Sequence, residues 1–263
     1  GVALANPPSA EEPFLRRSLV PNLLKALART TSRGARGAAL FEVGHVFHPA
    51  DPVDEREMVA AVLTGPAVQG PFDGDRSLDF FDGKGALEAL LAGLAIEAWN
   101  LGAPPVGPLH PGRSASVEIG GEQAGVIGEL HPRVAQRLDL PPRVALFELD
   151  VAALAGHSVN EVTYRDIPRY PPIRRDVAFT LEASTPAADV RSALEDAAGE
   201  LLGSAVLFDV FEGEPLPQGK KSLAFSLELR ALDRTLTDAE ADAALSSVIE
   251  RLRHDFGAEL RAG

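Results

Sequence analysis

No cysteine occurs among the 263 residues, and there is one methionine and one tryptophan. Without thiols the chain can form no disulfide, run no thiolate chemistry and build no cysteine zinc site. Nothing ties it to an oxidising compartment, and the expected location is cytoplasmic. It also lacks any apolar run of the roughly 18 to 20 residues that span a bilayer, and its first twenty residues lack the basic-then-apolar layout of a signal peptide. No membrane partner is expected. Positive charge is scarce: 25 Lys and Arg stand against 38 Asp and Glu, a net charge of -13. Sequence-independent nucleic-acid binding draws its affinity from many Lys and Arg contacts to phosphate, so a broad basic surface is excluded and DNA is not an expected partner. Any RNA contact has to be local, made by stacking on unpaired bases and by a few placed polar groups.

What is present is enough apolar material, 45% of residues, for one large or two modest cores. Gly1 in place of methionine, followed at once by strand-like Val2-Ala3-Leu4, reads as a fragment or processed product. Ser18 can cap a helix opening near Pro21, with Leu19, Leu23, Leu24 and Leu27 on one face, ending around Arg33-Gly34. Ala38 to Phe47 reads as a buried strand and Met58 to Thr64 as another. Leu87, Leu90, Leu91 and Leu94 repeat at helical spacing. Gly120-Gly121 joins two strands as a hairpin, and Val144 to Val151 adds one more. The expectation is a mostly antiparallel sheet carrying helices over residues 1–163, then a proline-rich linker over 164–172, where Pro168, Pro171 and Pro172 resist helix and ladder pairing alike.

From residue 173 the order of expected elements is βαββαβ, the split-βαβ, ferredoxin-like arrangement. Arg175 to Leu181 alternates as a strand, Thr185-Pro186 opens a helix to about Leu201, and Ala205 to Phe211 is strand again. Ser222 to Arg230 is a third strand. Thr237-Asp238-Ala239-Glu240 is a capping box for a helix to about Asp255, and Ala258 to Arg261 closes the set. The fold class is therefore α+β.

Sites of familiar chemistry are poorly represented. His45 and His48, three apart on a strand, point to opposite faces and make a poor metal pair. His110 and His131 follow turn-like sequences and suit local capping. Asp73, Asp75, Ser77 and Asp79 begin like a calcium loop, but Leu78 stands where glycine is needed and Lys84 where a bidentate glutamate is needed. No metal site is expected. The arginines near Gly34 and Gly37 form no phosphate-cradling pattern. Lys220 and Lys221 either sit in a solvated turn or guide a phosphate backbone. Phe211 follows Phe208 by three on a strand, so one ring is expected in the core and the other on the open sheet face, where an aromatic can stack a base.

The last sixty residues carry Phe208-Asp209-Val210-Phe211, Leu216-Pro217, Gly219-Lys220-Lys221-Ser222-Leu223-Ala224, Arg234-Thr235-Leu236-Thr237-Asp238 and Gly257-Ala258-Glu259-Leu260-Arg261. Five blocks in this order resemble the C-terminal anticodon-binding, ferredoxin-like domain of the bacterial phenylalanyl-tRNA synthetase β-subunit family. Upstream, Asn6-Pro7-Pro8-Ser9, the run from Leu15 to Leu24, Leu40-Phe41-Glu42-Val43-Gly44 and Gly128-Glu129-Leu130-His131-Pro132 are similar to the same family. The resemblance covers nearly the whole chain.

It implies a class II synthetase-like domain without catalytic residues, followed by the ferredoxin-like domain. Class II chemistry uses arginines to neutralise charge on ATP phosphates. Leu40 stands where the second class II motif has its arginine, two before Glu42, and Gly112-Arg113 leads into a strand rather than a helix. No catalysis by this chain alone, and no cofactor in it, is expected. ATP and Mg2+ would serve the holoenzyme. The resemblance further implies partners: a catalytic α subunit in an α2β2 assembly, docked through the helix bearing Leu19, Leu23, Leu24 and Leu27, and tRNA(Phe). It places anticodon recognition at Asp209, Phe211, Ser222 and Arg261, with Lys220 and Lys221 beside them. Phe211 stands where the family can use tyrosine, keeping the ring without the hydroxyl. Two other readings remain: a ferredoxin-like protein-interaction scaffold, or a small-molecule regulatory module without RNA binding.

Overall fold

The computed structural model describes residues 1–7, 9, 13–67, 76–105, 107–159 and 169–261. Pro8, Asp73, Asp75 and Pro168, singled out above, lie outside them. The chain divides into two compact units, Gly1–Thr163 and Tyr164–Gly263.

In the first unit six strands form one antiparallel sheet. They are β1 (Ala38–His48), β2 (Asp54–Thr64), β3 (Trp99–Leu101), β4 (Leu109–Ile119), β5 (Glu122–Leu130) and β6 (Ala145–Asp150), in the order β1-β2-β6-β5-β4-β3. Gly120 and Gly121 turn β4 into β5 with φ of 60° and 86°, a left-handed pair that side chains disfavour. Helix α1 (Val20–Ser32) lies on one face. Leu19, Leu23, Leu24 and Leu27 pack there with Val46, Ala60, Val62 and Leu146. Ser18 does not cap α1 from the N-cap position, which is Leu19; its hydroxyl accepts the Val20 N–H and donates to Glu148.

Helices α2 (Phe80–Gly93) and α4 (Val151–His157) cover the other face, where Leu87, Leu91 and Leu154 meet Val117, Ile127, Phe147 and Leu149. Asp79 and Asp82 close a capping box at the start of α2. Arg76, and then the Asp79 N–H, hold the Asp82 carboxyl below the ordinary range. The short α3 (Pro132–Arg137) follows β5, capped by His131 Nδ1 accepting the Arg133 N–H, and His110 Nδ1 likewise accepts from Gly112.

The reading of β1 as a buried strand is corrected. It is an edge strand, and while Leu40 and Val46 face α1, Phe41 is 77% and Val43 53% exposed on the opposite face. The apolar run in sequence looked fully buried because period alone cannot tell an edge from a centre.

The second unit is β7 (Ile173–Glu182), α5 (Ala187–Ala198), β8 (Leu202–Glu212), β9 (Lys220–Leu229), α6 (Asp238–Phe256) and β10 (Glu259–Leu260). A 3-10 turn at Gly199–Leu201 finishes α5. The sheet order β10-β7-β9-β8, all antiparallel, is the ferredoxin-like arrangement. Thr237 and Glu240 form the expected capping box. The Thr237 backbone and hydroxyl, then Arg234, hold the Glu240 carboxyl below its usual range. Gly257, left-handed at φ 60°, ends α6. Both helices lie on one sheet face, where Phe179, Leu181, Phe225, Leu227, Val190, Leu194, Val248 and Leu252 are buried. Each such side chain contributes about 1.5 to 3 kcal/mol by leaving water. Among the described residues of this unit, no helix lies on the opposite face of the sheet.

Candidate nucleic-acid interface

Strand alternation sorts the second unit's side chains between the two faces. On β9, Leu223, Phe225 and Leu227 enter the core, so Ser222, Ala224 and Ser226 lie on the open face. On β7, Phe179 and Leu181 enter the core, which leaves Ala178 and Thr180 opposite. The register joins these into rows. Phe211, Ser222 and Thr180 stand side by side, as do Asp209, Ala224 and Ala178. The Arg261 N–H donates to the Ala178 carbonyl at 2.8 Å, so the chain beyond β10 extends the second row.

The middle of both rows is built of small residues, with Ser222 4% and Ala224 8% exposed. Two strands separate Arg261 from β8, at about 4.8 Å between neighbours. Yet the Arg261 guanidinium carbon lies 5.8 Å from the centroid of the Phe211 ring. The two side chains therefore reach toward each other above the Ala and Ser floor, a cation–π pair worth about 0.5 to 1 kcal/mol at an exposed site. The result is a shallow platform with a ring and a guanidinium above it and the Asp209 carboxylate beside it.

Such a platform suits an unpaired base. A ring or planar cation can stack on either face of a base, the guanidinium can donate paired hydrogen bonds, and the carboxylate and hydroxyl can read donors on a base edge. Nothing in it gathers enough positive charge to hold a phosphate backbone.

Asp209, Phe211, Ser222 and Arg261 are thus brought onto one face. Lys220 shares that face but its Nζ lies 2.7 Å from Glu182, so it is an ion pair rather than a free cation. Lys221 stands between Leu181 and Glu212 in register and alternates with Ser222, which puts it on the helix side of the sheet. The expectation that Phe208 enters the core is corrected. A β-bulge between Leu207 and Asp209 sets Phe208 outside the regular pairing, and it is 58% exposed. Counting by twos from Phe211 had assumed an unbroken strand. Thr180, Ala178 and Ala224 escaped the sequence reading, although their alternation with Phe179, Leu181 and Leu223 was the available signal.

In the first unit, Leu19 and Leu27 are fully buried and Leu23 and Leu24 are each 5% exposed, all within that unit's own core. Arg113 lies in β4, where its Nε donates to the buried Glu129 at 2.7 Å. Among the described residues no group of three His, Cys, Asp or Glu could hold a metal ion, and no helix is long and apolar enough to cross a membrane.

Comparison with known proteins finds a family match in each unit. Residues 1–151 match the family model described as the phenylalanyl tRNA synthetase beta chain CLM domain, and residues 168–261 match the ferredoxin-fold anticodon binding domain. A phenylalanine–tRNA ligase beta subunit from Bacillus cereus is 40% identical over 265 residues, covering 99% of this chain and 33% of the relative. Proteins of the same name from Moorella thermoacetica and Symbiobacterium thermophilum are each 39% identical, covering 99% of this chain and 33% and 30% of their own lengths. The chain spans about a third of the length of the curated relatives it matches.

Proposed function

The chain belongs to the family of phenylalanyl-tRNA synthetase β chains, and from that membership we propose that it is the part of such a subunit that recognises the anticodon of tRNA(Phe) and docks the catalytic α subunit. The observation that carries the first half is the open sheet face. Phe211 and Arg261 approach each other above a floor of small residues, and in this reading Asp209 and Ser222 on the same face would read a base edge. Phe211 supplies the stacking ring, and Arg261 caps it or bonds the base. Lys220, held by Glu182, and Lys221, on the helix side, have secondary parts at most in this reading.

The second half starts from the relatives' name, beta subunit, which describes one part of a larger ligase. Phe41 and Val43 on β1 offer an apolar surface suited to a protein partner. Leu19, Leu23, Leu24 and Leu27 act indirectly, by holding α1 against the sheet that presents that surface. Adenylate formation from ATP and phenylalanine, with its Mg2+, belongs to the α subunit of an α2β2 assembly. Arg113, the nearest arginine to a phosphate-holding position in this chain, is tied to one carboxylate and shares its pocket with a second, a poor setting for a triphosphate. Domain limits of 1–163, 164–172 and 173–263 fit this division of labour, in the cytoplasm.

The test measures binding of tRNA(Phe) and of an anticodon-changed tRNA to the reconstituted α/β complex, with and without Phe211→Ala. Stacking is worth about 1 to 3 kcal/mol per base, so Phe211→Ala is expected to weaken tRNA(Phe) binding by about tenfold and to narrow the gap between the two tRNAs. Equal affinity for both, unmoved by the substitution, would sink the assignment.

A further inference from the structure

A second candidate site lies in the first unit, independent of the open sheet face. Where the start of α2 meets β4 and β5 there is a half-open cavity of about 430 Å³, within the range of small-molecule sites. Glu129 on β5 is buried at its floor; one carboxylate oxygen accepts the Arg113 Nε–H at 2.7 Å and the other accepts the Phe80 N–H at 3.2 Å. This fixes the Arg113 guanidinium, whose two terminal nitrogens have no hydrogen-bond partner among the described residues and whose side chain is 40% exposed. At the rim, Asp79 Oδ1 accepts the Phe81 N–H. Its Oδ2 stands 3.8 Å from the Arg143 guanidinium and 3.9 Å from that of Arg76, too far for a hydrogen bond to either. Phe81 is 74% exposed, its ring set edge-to-face against Phe80. The Ser114 hydroxyl oxygen is buried without a hydrogen-bond partner.

Three properties of the lining select a ligand. Arg113 and Arg143 are matched by Glu129 and Asp79, so the cavity is balanced in charge and gives a net anion or cation no lasting Coulomb advantage. Terminal donors of the Arg113 and Arg143 guanidinium groups are nevertheless left unfilled at one mouth, beside the Asp79 carboxylate, which already accepts the Phe81 and Asp82 N–H groups. A large ring is exposed beside them, where a flat ligand can stack. A neutral planar ring with donors and acceptors along one edge meets all three conditions.

We infer that this cavity binds a nucleobase, carried either by a free nucleoside or by an unpaired nucleotide of an RNA strand. The base stacks on Phe81 and turns its polar edge to Arg113, Arg143 and Asp79. Inorganic phosphate and benzoate are the wrong class: each brings the two acidic residues a third negative charge, phosphate has nothing to stack, and benzoate has a ring but no donor along its edge.

The test follows backbone amide shifts of Gly112, Ser114 and Phe81 in the full chain during titration with adenosine, guanosine, cytidine and uridine, then with inorganic phosphate and benzoate. Saturable shifts are expected with at least one nucleoside and not with phosphate or benzoate. Phe81→Ala and Arg143→Ala change exposed side chains, so the rest of the amide spectrum reports that the fold is kept; each is expected to weaken binding, Phe81→Ala by about tenfold. A single-stranded tetranucleotide separates the two sources. Tighter binding than its nucleoside indicates an RNA strand, equal binding a free nucleoside, and both uphold the base pocket. Absence of saturation by every nucleoside, saturation by benzoate or phosphate alone, or affinities untouched by both substitutions would overturn it.

Discussion

At the scale of single residues, the consequential positions are those where a polar group is buried with its partners supplied. Glu129 is the clearest case, since it is 2% exposed and holds both the Arg113 guanidinium and the Phe80 N–H. Glu129→Ala removes both interactions together and is expected to cost about 1 to 3 kcal/mol, below the roughly 3 to 5 kcal/mol usual for breaking a fully buried pair, because Arg113 keeps contact with water. Glu129→Gln, which can still accept the N–H, is expected to recover part of the loss. Chemical denaturation measures both, and an alanine variant as stable as its parent would show that the pair does not hold α2 to the sheet. Phe211 was legible in sequence as a ring suited to stacking on the open face, and Arg261 entered through the family resemblance; the sheet register brings both onto one face. Their approach to 5.8 Å was not legible, because it depends on which strands lie between them. Phe208 was misplaced for a related reason: a bulge changes parity locally and leaves no mark in composition.

At the scale of elements, most helices and strands follow from local chemistry. The Thr237 and Glu240 capping box, Gly257 after α6 and the Gly120-Gly121 hairpin each fix an end by a backbone requirement that the residues announce. The start of α2 was not legible in the leucine repeat, because its signal, Asp79 with Asp82, sits ahead of that repeat. β1 is the instructive element. Its sequence reads as buried on both faces, and its position at the sheet edge leaves Phe41 and Val43 uncovered. If that face docks the α subunit, Phe41→Asp places a charge in the interface and is expected to weaken copurification of the two subunits by tenfold or more while leaving this chain's thermal unfolding nearly unchanged. Undiminished copurification would exclude the β1 face as the docking surface.

At the scale of the whole molecule, the net charge of -13 sets how RNA can be held. Residues 168–263 carry 11 Lys and Arg against 17 Asp and Glu, and Lys220 is already paired. A strand bound there by stacking, with one or two phosphate contacts, should show a slope of log affinity against log salt of about -0.7 to -1.4. Binding of an anticodon stem-loop to this chain is therefore expected to fall less than about tenfold between 50 and 200 mM salt. Fluorescence anisotropy across that range measures it, and a loss of a thousandfold would mean that phosphate contacts dominate. Composition, spacing and turn chemistry determined by themselves that this is a thiol-free, acidic α+β chain with a βαββαβ second half. Those properties depend on residue types and their local order, which the chain carries wherever it goes. Tertiary structure alone decided that β1 is an edge, that Phe208 is bulged out, that Arg261 meets Phe211, and that Asp79, Arg113, Glu129 and Arg143 share one cavity. Each of these is a relation between residues distant along the chain, set by sheet order and register, and local sequence holds no physical record of either.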